Sequence, residues 1–401
     1  MSQIACVNNK GQFDLINADG SGLKRITDQQ FAYQFPAWSP DGQSIAAIGR
    51  SLNSSSPAEG YIIVVDDNDD GPQSRILYRS QDQIPFYLYW SPDSRYISFL
   101  ATHPKSGMAL HYLSASGGMS HLLHVGQPFF WMWHPNATEM LIHTGGADTN
   151  AELSFLKPNN NYEGLAINLA SPGFFQTPGI SPSFGYVSFG TQDDSGRTEI
   201  VIESKRSRKR KRFGHKGAAV MSWSPTHDYL AYISPINNNN NFYGMLRLVE
   251  AETGRRVVLV EETVLAFFWS PDGEKIAYFT LVEPVRSPEY NVQATVSDGY
   301  AKGRPMPSDI SYTLWLNLNV VNVYTGEHRL LTPFKPNAIF VNQFMPFFDQ
   351  YALSHRLWSP NSDAILLPAV VNDEERIVIV PVNGMPPIDL HPGTMASWSH
   401  A

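Results

Sequence analysis

Seven of the eight residues from Lys205 to Arg212 are basic: Lys205, Arg206, Arg208, Lys209, Arg210, Lys211 and Arg212. The whole chain carries a formal net charge of −8, so this run is a concentrated cationic patch on an acidic body. Such clusters bind phosphate backbones, anionic lipid surfaces or acidic protein segments, or stand as solvated hairpin tips. The acidic balance argues against a general nucleic-acid binder; a solvated hairpin tip is the plain reading, with an anionic partner, an acidic protein segment first, as the alternative. Asp66-Asp67-Asn68-Asp69-Asp70-Gly71 matches the first half of a calcium loop, but the twelfth position, where a bidentate Glu belongs, is Leu77. An acidic hairpin turn fits it better. Six of the twelve histidines (His103, His111, His121, His124, His134 and His143) crowd one stretch, yet none repeats a tight ligand spacing. No metal and no cofactor are expected. There is no Gly-x-Ser-x-Gly elbow and no phosphate-binding Gly-x-x-x-x-Gly-Lys-Ser/Thr loop.

The elements that position these groups come from a repeat. Trp-Ser-Pro-Asp-Gly stands intact at Trp38–Gly42 and Trp269–Gly273, with close copies starting at Trp90, Trp223 and Trp358 and weaker ones at Trp133, Ile180 and Trp398. Most intervals run 40 to 52 residues; that from Trp269 to Trp358 is 89. Each holds a run ending in Trp, a Ser-Pro-Asp-Gly turn, an apolar run such as Ser44–Ile48, and a Gly-containing hairpin joining two further runs. Four antiparallel strands per repeat, set around a ring, describe an all-β fold, a β-propeller of four-stranded blades.

Counting first strands gives eight blades, with seven as the alternative. Residues 3–28 supply strands two to four of a blade and Thr394–Trp398 a first strand, so pairing the two closes the ring and removes both open edges. The long interval contains one set of strands (Lys275–Leu281, Leu314–Tyr324 and His328–Thr332), which makes 282–312 a loop insertion in the seventh blade. The expectation is one propeller domain over 1–401.

The Trp-Ser-Pro-Asp-Gly-x-x-Ile-Ala pattern resembles the TolB-type, WD-repeat-like propeller repeat, found in the TolB C-terminal domain and in the propellers of prolyl-oligopeptidase-like enzymes. The likeness covers essentially the whole chain and implies the fold. It leaves function open, because this fold carries scaffolds and enzymes alike. No segment remains for the hydrolase half of the oligopeptidase family.

Propeller connectivity puts the loops between strands two and three, and between blades, on one face, here called the top. The entries into the first strands are aromatic there. Phe35, Tyr87, Phe130 and Phe348 are read as exposed anchors ringing the channel mouth, with His355 and Arg356 as polar groups that orient a ligand. Insertions at Ser51–Gly60, Asn237–Asn241 and Glu283–Ser311 fall on the same face. Charged residues are only 16% of the chain, against roughly 25% in ordinary soluble proteins, which suits many half-buried strands. No run reaches a membrane span, no apolar leader opens the chain, and its one cysteine excludes an intrachain disulfide, so a cytoplasmic location is expected. The reading is a non-catalytic interaction or scaffold module that binds a protein partner at the top face. The alternatives are a lyase or hydrolase with a channel-mouth site, acting on a saccharide or peptide, and an adaptor to an anionic surface through 205–212.

Overall fold

The reason the repeat needs Trp, Ser and Asp is visible in its bonds. Ser39 Oγ donates to Asp41 Oδ1 (2.6 Å) and accepts from the Ser44 N–H (3.0 Å), while the Gly42 N–H closes the turn on Ser39 O (2.8 Å). Gly42 sits at φ +73°, where a Cβ is disfavoured. Ser91/Asp93 and Ser270/Asp272 repeat the arrangement. The Trp links blades. Trp90 Nε1 donates to the carbonyl of Ala37 (2.9 Å), the residue before the preceding anchor, Trp38. Trp38 does the same to Ser397, Trp269 to Ser222, Trp358 to Phe268 and Trp398 to Leu357. Each anchor thus buries a large ring between blades with its N–H satisfied. At Trp133 the bond runs through a side chain, Nε1 donating to Ser98 Oγ and that hydroxyl to Tyr89 O (2.9 Å each), and at Trp223 it is absent: Nε1, packed tightly against Gly179, has no partner among the described residues.

The computed structural model describes all residues except 1, 53–58, 69–70, 148–149, 159–163, 194, 216, 236–242, 283–313 and 401. They form eight antiparallel sheets, one per blade. In the first blade Met395–Trp398 pairs with Gln3–Val7, with Ile4 opposite Trp398 and Val7 opposite Met395, so the ring is closed as the two ends predicted. Six further blades carry four strands each. The eighth carries three (Ala364–Val371, Glu374–Pro381 and Ile388–Pro392), its inner edge met by two isolated bridges, Pro336 to Ala369 and Trp358 to Ile365. The three insertions singled out on the top face lie wholly or mostly outside the described residues, as do Asp69 and Asp70 of the 66–71 acidic run. Of that run, Asp66 is held by Arg75 (2.9 Å) and Ser44, and Asp67 by Lys24 (2.6 Å).

Candidate functional site

The inner edge of the eighth blade is interrupted, and the stretch that interrupts it lies on the propeller axis. Asn337 Oδ1 accepts the Phe340 N–H (2.9 Å) and starts a helical segment. It runs through a π turn (Phe340–Phe344), a 3₁₀ turn (Met345–Phe347) and a short α turn (Phe348–Tyr351). Pro346 sits in the first turn of the 3₁₀ piece, where its missing N–H is not needed.

This segment touches innermost strands all around the ring. Tyr351 packs on Phe35 of the second blade (5.3 Å between centroids) and on Tyr87 of the third (5.0 Å). Phe348 packs on Phe267 and Phe268 of the seventh (5.2 and 5.7 Å). Gln350 extends the fourth blade like a strand partner: its Oε1 accepts from Trp131 N–H and its Nε2 donates to Trp131 O, both at 2.9 Å. Asp349 accepts the N–H of Thr177 at the entry to the fifth blade (2.9 Å), and Gln176 Nε2 donates to Pro346 O (2.9 Å). One short segment reaching inner strands on opposite sides of a ring has to lie on its axis. It is a plug, seated where the inner strands begin.

The plug corrects the expectation of an aromatic rim. Phe35, Tyr87, Phe130, Phe348 and His355 were read as open to a partner or substrate; all are buried, Phe348 and His355 to within 1% of full burial. Phe35 reaches the plug through a bulge between Gln34 and Ala37, at φ +55°, a conformation a bulky side chain holds only when its surroundings fix it. Arg356 is half-buried, and burial lowers its pKa. His355 lies among Phe35, Phe344 and Tyr351, with Ser354 Oγ on its Nδ1 (2.7 Å); burial lowers it to about 4, so the ring is neutral at pH 7. Burial pushes the Asp349 carboxyl up to about 6 despite the N–H donors around it, and drives the Tyr87 phenol well above its ordinary value. The titratable groups of the channel mouth are bonded to one another and to the blades, not to an open cavity.

The plug was legible but missed. Phe340, Phe344, Phe348, Tyr351 and His355 follow at steps of four, four, three and four, which is helical spacing. Reading Phe348 as an aromatic at a strand entry hides it. On its top side Phe347 is 41% exposed, touching Phe130 (6.3 Å), and Phe174, at the entry to the fifth blade, is 55% exposed.

The basic run forms the hairpin between Thr198–Ser204 and Arg210–Gly214 of the fifth blade, where the strand pattern put it. Most of its charge is already engaged. Arg208 (3.0 Å) and Arg210 (2.7 Å) both pair with the buried carboxylate of Glu203, and Arg212 with Glu199 (2.8 Å). Lys211 donates to the carbonyls of Ala251 and Glu252, and Lys205 lies by His134 and over the Phe155 ring. Arg206 and Lys209 are exposed, with no ion pair among the described residues. The six histidines do not converge: His111 bonds Gln83, His124 pairs with Glu152, and His143 is stacked on Phe175 (3.9 Å). Among the described residues no three His, Cys, Asp or Glu form a metal-sized group, and no helix is long and apolar enough to cross a membrane.

No family model matches the chain, and no curated protein matches it. Solved structures do. Dihydro-heme d1 dehydrogenase NirN in complex with DHE is similar over 98% of this chain and 74% of its own, with a TM-score of 0.58 at 11% identity. A eukaryotic initiation factor is similar over 99% of this chain and 98% of its own, with a TM-score of 0.57 at 13% identity. TolB from Acinetobacter baumannii matches 65% of this chain at 15% identity and a TM-score of 0.39, and the chain spans 64% of that protein. At such identities the likeness is one of fold alone: this chain is an eight-bladed β-propeller.

Proposed function

We propose that the protein is a non-catalytic interaction module that captures a protein partner on its top face, over the plug. The observation that carries this reading is the exposure of Phe347 and Phe174 beside a channel mouth already filled by the chain itself. Exposed aromatics held on a rigid, buried base are the usual anchors of protein interfaces. The rival reading, an enzyme with a channel-mouth site, requires acid and base groups that a substrate can reach, and Asp349 and His355, which belong to the plug itself, are buried. The hairpin at 205–212 favours the anionic-adaptor reading less than its sequence did, because five of its seven cations already have partners. The test is site-specific photo-crosslinking in cells, with a benzophenone side chain at position 347, at 174 and, as a control, at the exposed Met385 hairpin. A discrete partner adduct from 347 and 174, lost from 347 on Phe174→Ser and absent at 385, is expected. Equal adducts from all three positions, or turnover of a small substrate that survives Phe347→Ser with no adduct formed, would overturn it.

A further inference from the structure

A cleft lies away from the plug, at the outer rim between the sixth and seventh blades. Its volume is about 640 Å³. One wall is the outer strand of the sixth blade, Arg256–Val264; the other is formed by Tyr278, Asn319, His328 and Leu330 of the seventh. The outer strands of several blades carry a one-residue bulge, but Arg256–Val264 adds a second. Gly244 pairs with Val264 and Leu246 with Val260, so Glu261, Glu262 and Thr263 stand opposite the single residue Met245. Their main-chain groups therefore fall outside the ladder, and their side chains are turned outward, as bulges turn them.

The cleft has an apolar wall and a negative rim. Val258 and Leu330 are 40% and 57% exposed, large for side chains of that size on a strand. Glu261 and Glu262 form no ion pair among the described residues. The nearest cations on the two walls are turned away: Arg256 lies over Phe213 of the fifth blade, and Arg329 donates to Val382 O of the eighth. The floor is held rigidly, because Tyr278 is buried and its hydroxyl bonds His328 Nδ1 (3.1 Å). Burial, with the charge of Glu262 added to it, pushes the Tyr278 phenol up to about 12.

We propose that this inter-blade cleft is a second binding site, which takes an extended peptide segment carrying Lys or Arg beside a β-branched or aliphatic residue. The apolar neighbour lies against Val258 and Leu330, the cation meets Glu261 and Glu262, and the peptide main chain pairs with the unladdered stretch Glu261–Thr263. Unpaired carboxylates beside exposed apolar side chains select such a segment over an acidic or purely polar one. Strand addition along a free edge supplies the rest of the contact.

The test uses fluorescence anisotropy with the full chain and a fluorescein-labelled Ac-Val-Lys-Val-Arg-Val peptide, a control peptide with Gln at both basic positions, and spermine as a competitor. The basic peptide is expected to bind at least tenfold more tightly than the neutral one, and to weaken as salt is raised. Glu261→Gln with Glu262→Gln is expected to weaken it tenfold or more, and Val258→Ser with Leu330→Ser comparably. Glu274→Gln with Glu374→Gln, which removes the same charge elsewhere, leaves it unchanged. Equal binding of the two peptides, or undiminished binding by the Glu261→Gln, Glu262→Gln protein, would overturn the proposal. Displacement of the peptide by spermine at equal concentration would also overturn it, showing a site for point charges alone. All substituted residues are exposed, and a melting curve within about 2 °C of wild type confirms that a loss of binding is not a loss of fold.

Discussion

Replacing Gln350 with Ala should be the single most damaging polar-to-apolar change in the plug. Its amide satisfies both main-chain groups of Trp131, at 2.9 Å each, and also donates to the Tyr87 hydroxyl (3.3 Å). The site is buried, with Gln350 at 4% exposure, so water does not replace the lost bonds. An unpaired buried donor or acceptor costs about 1–3 kcal/mol, and the substitution orphans one of each, so the expected loss is about 4 kcal/mol. A chain of this length unfolds with an entropy of roughly 0.8 kcal/mol per kelvin, so the midpoint of a cooperative transition should fall by about 5 °C. Hydrogen exchange gives a sharper readout, since the Trp131 amide loses its acceptor. Even about 3 kcal/mol of that loss, expressed locally, speeds its exchange by roughly a hundredfold. A Gln350→Ala protein that melts within about 1 °C of wild type, with the Trp131 amide still slow, would refute the plug as described.

Three other outcomes follow from the same bonds. Removing residues 394–401 deletes the inner strand of the first blade with Trp398, and the truncated chain should lose its cooperative calorimetric transition or aggregate on heating. In the basic hairpin, Arg208→Gln with Arg210→Gln leaves the Glu203 carboxylate buried and unpaired and should destabilise by about 3 kcal/mol, restored in large part by adding Glu203→Gln. Arg206→Gln with Lys209→Gln should leave the chemical-denaturation midpoint unchanged. The Asp349 carboxyl, raised to about 6 against an unfolded value near 3.8, contributes stability that is complete below the unfolded value and is lost as pH climbs through 6. Its contribution to the slope amounts to about 3 kcal/mol across that window. Asp349→Asn should flatten it when midpoints are compared from pH 4 to 7.

The fold was readable because the repeat encodes contacts that recur. Each Trp-Ser-Pro-Asp-Gly turn carries its own Ser–Asp bond and a Trp aimed at the neighbouring blade, so local sequence and ring geometry agree at Trp38, Trp90 and Trp269 alike. The ends were readable for the same reason, since an unpaired inner strand at Thr394–Trp398 matched a blade lacking one. The candidate site was not. Phe35, Tyr87 and Phe130 do lie at the channel mouth, but what covers them comes from some 220 to 310 residues further along the chain. No strand period announces it. A run of aromatics at helical spacing inside an all-β repeat was the available signal. The hairpin charges show the opposite failure: the sequence located them correctly, but their partners, Glu203, Glu199 and the Ala251 carbonyl, lie one strand or one blade away.

Plugging and closure are coupled, and the coupling can be measured. The plug interrupts the inner edge of the eighth blade between residues 335–337 and 357–358, both of which bond to Ala364–Val371, and both its ends are tied to the closing strand. Asn337 Nδ2 donates to Thr394 O (2.7 Å), the Arg356 N–H to Ser397 Oγ (3.2 Å), and the Trp398 N–H to Arg356 O (3.2 Å). If the plug moves as a unit, freeing its start by Asn337→Ala already loosens the bonds that Gln350 makes further along. The double variant Asn337→Ala, Gln350→Ala should then lose about 1 kcal/mol less than the sum of the single losses. Independent sites add to within about 0.5 kcal/mol. Strict additivity in denaturant titrations of the four proteins would mean that the two ends are anchored separately. The plug would then be two local contacts, not one element holding the ring shut from inside.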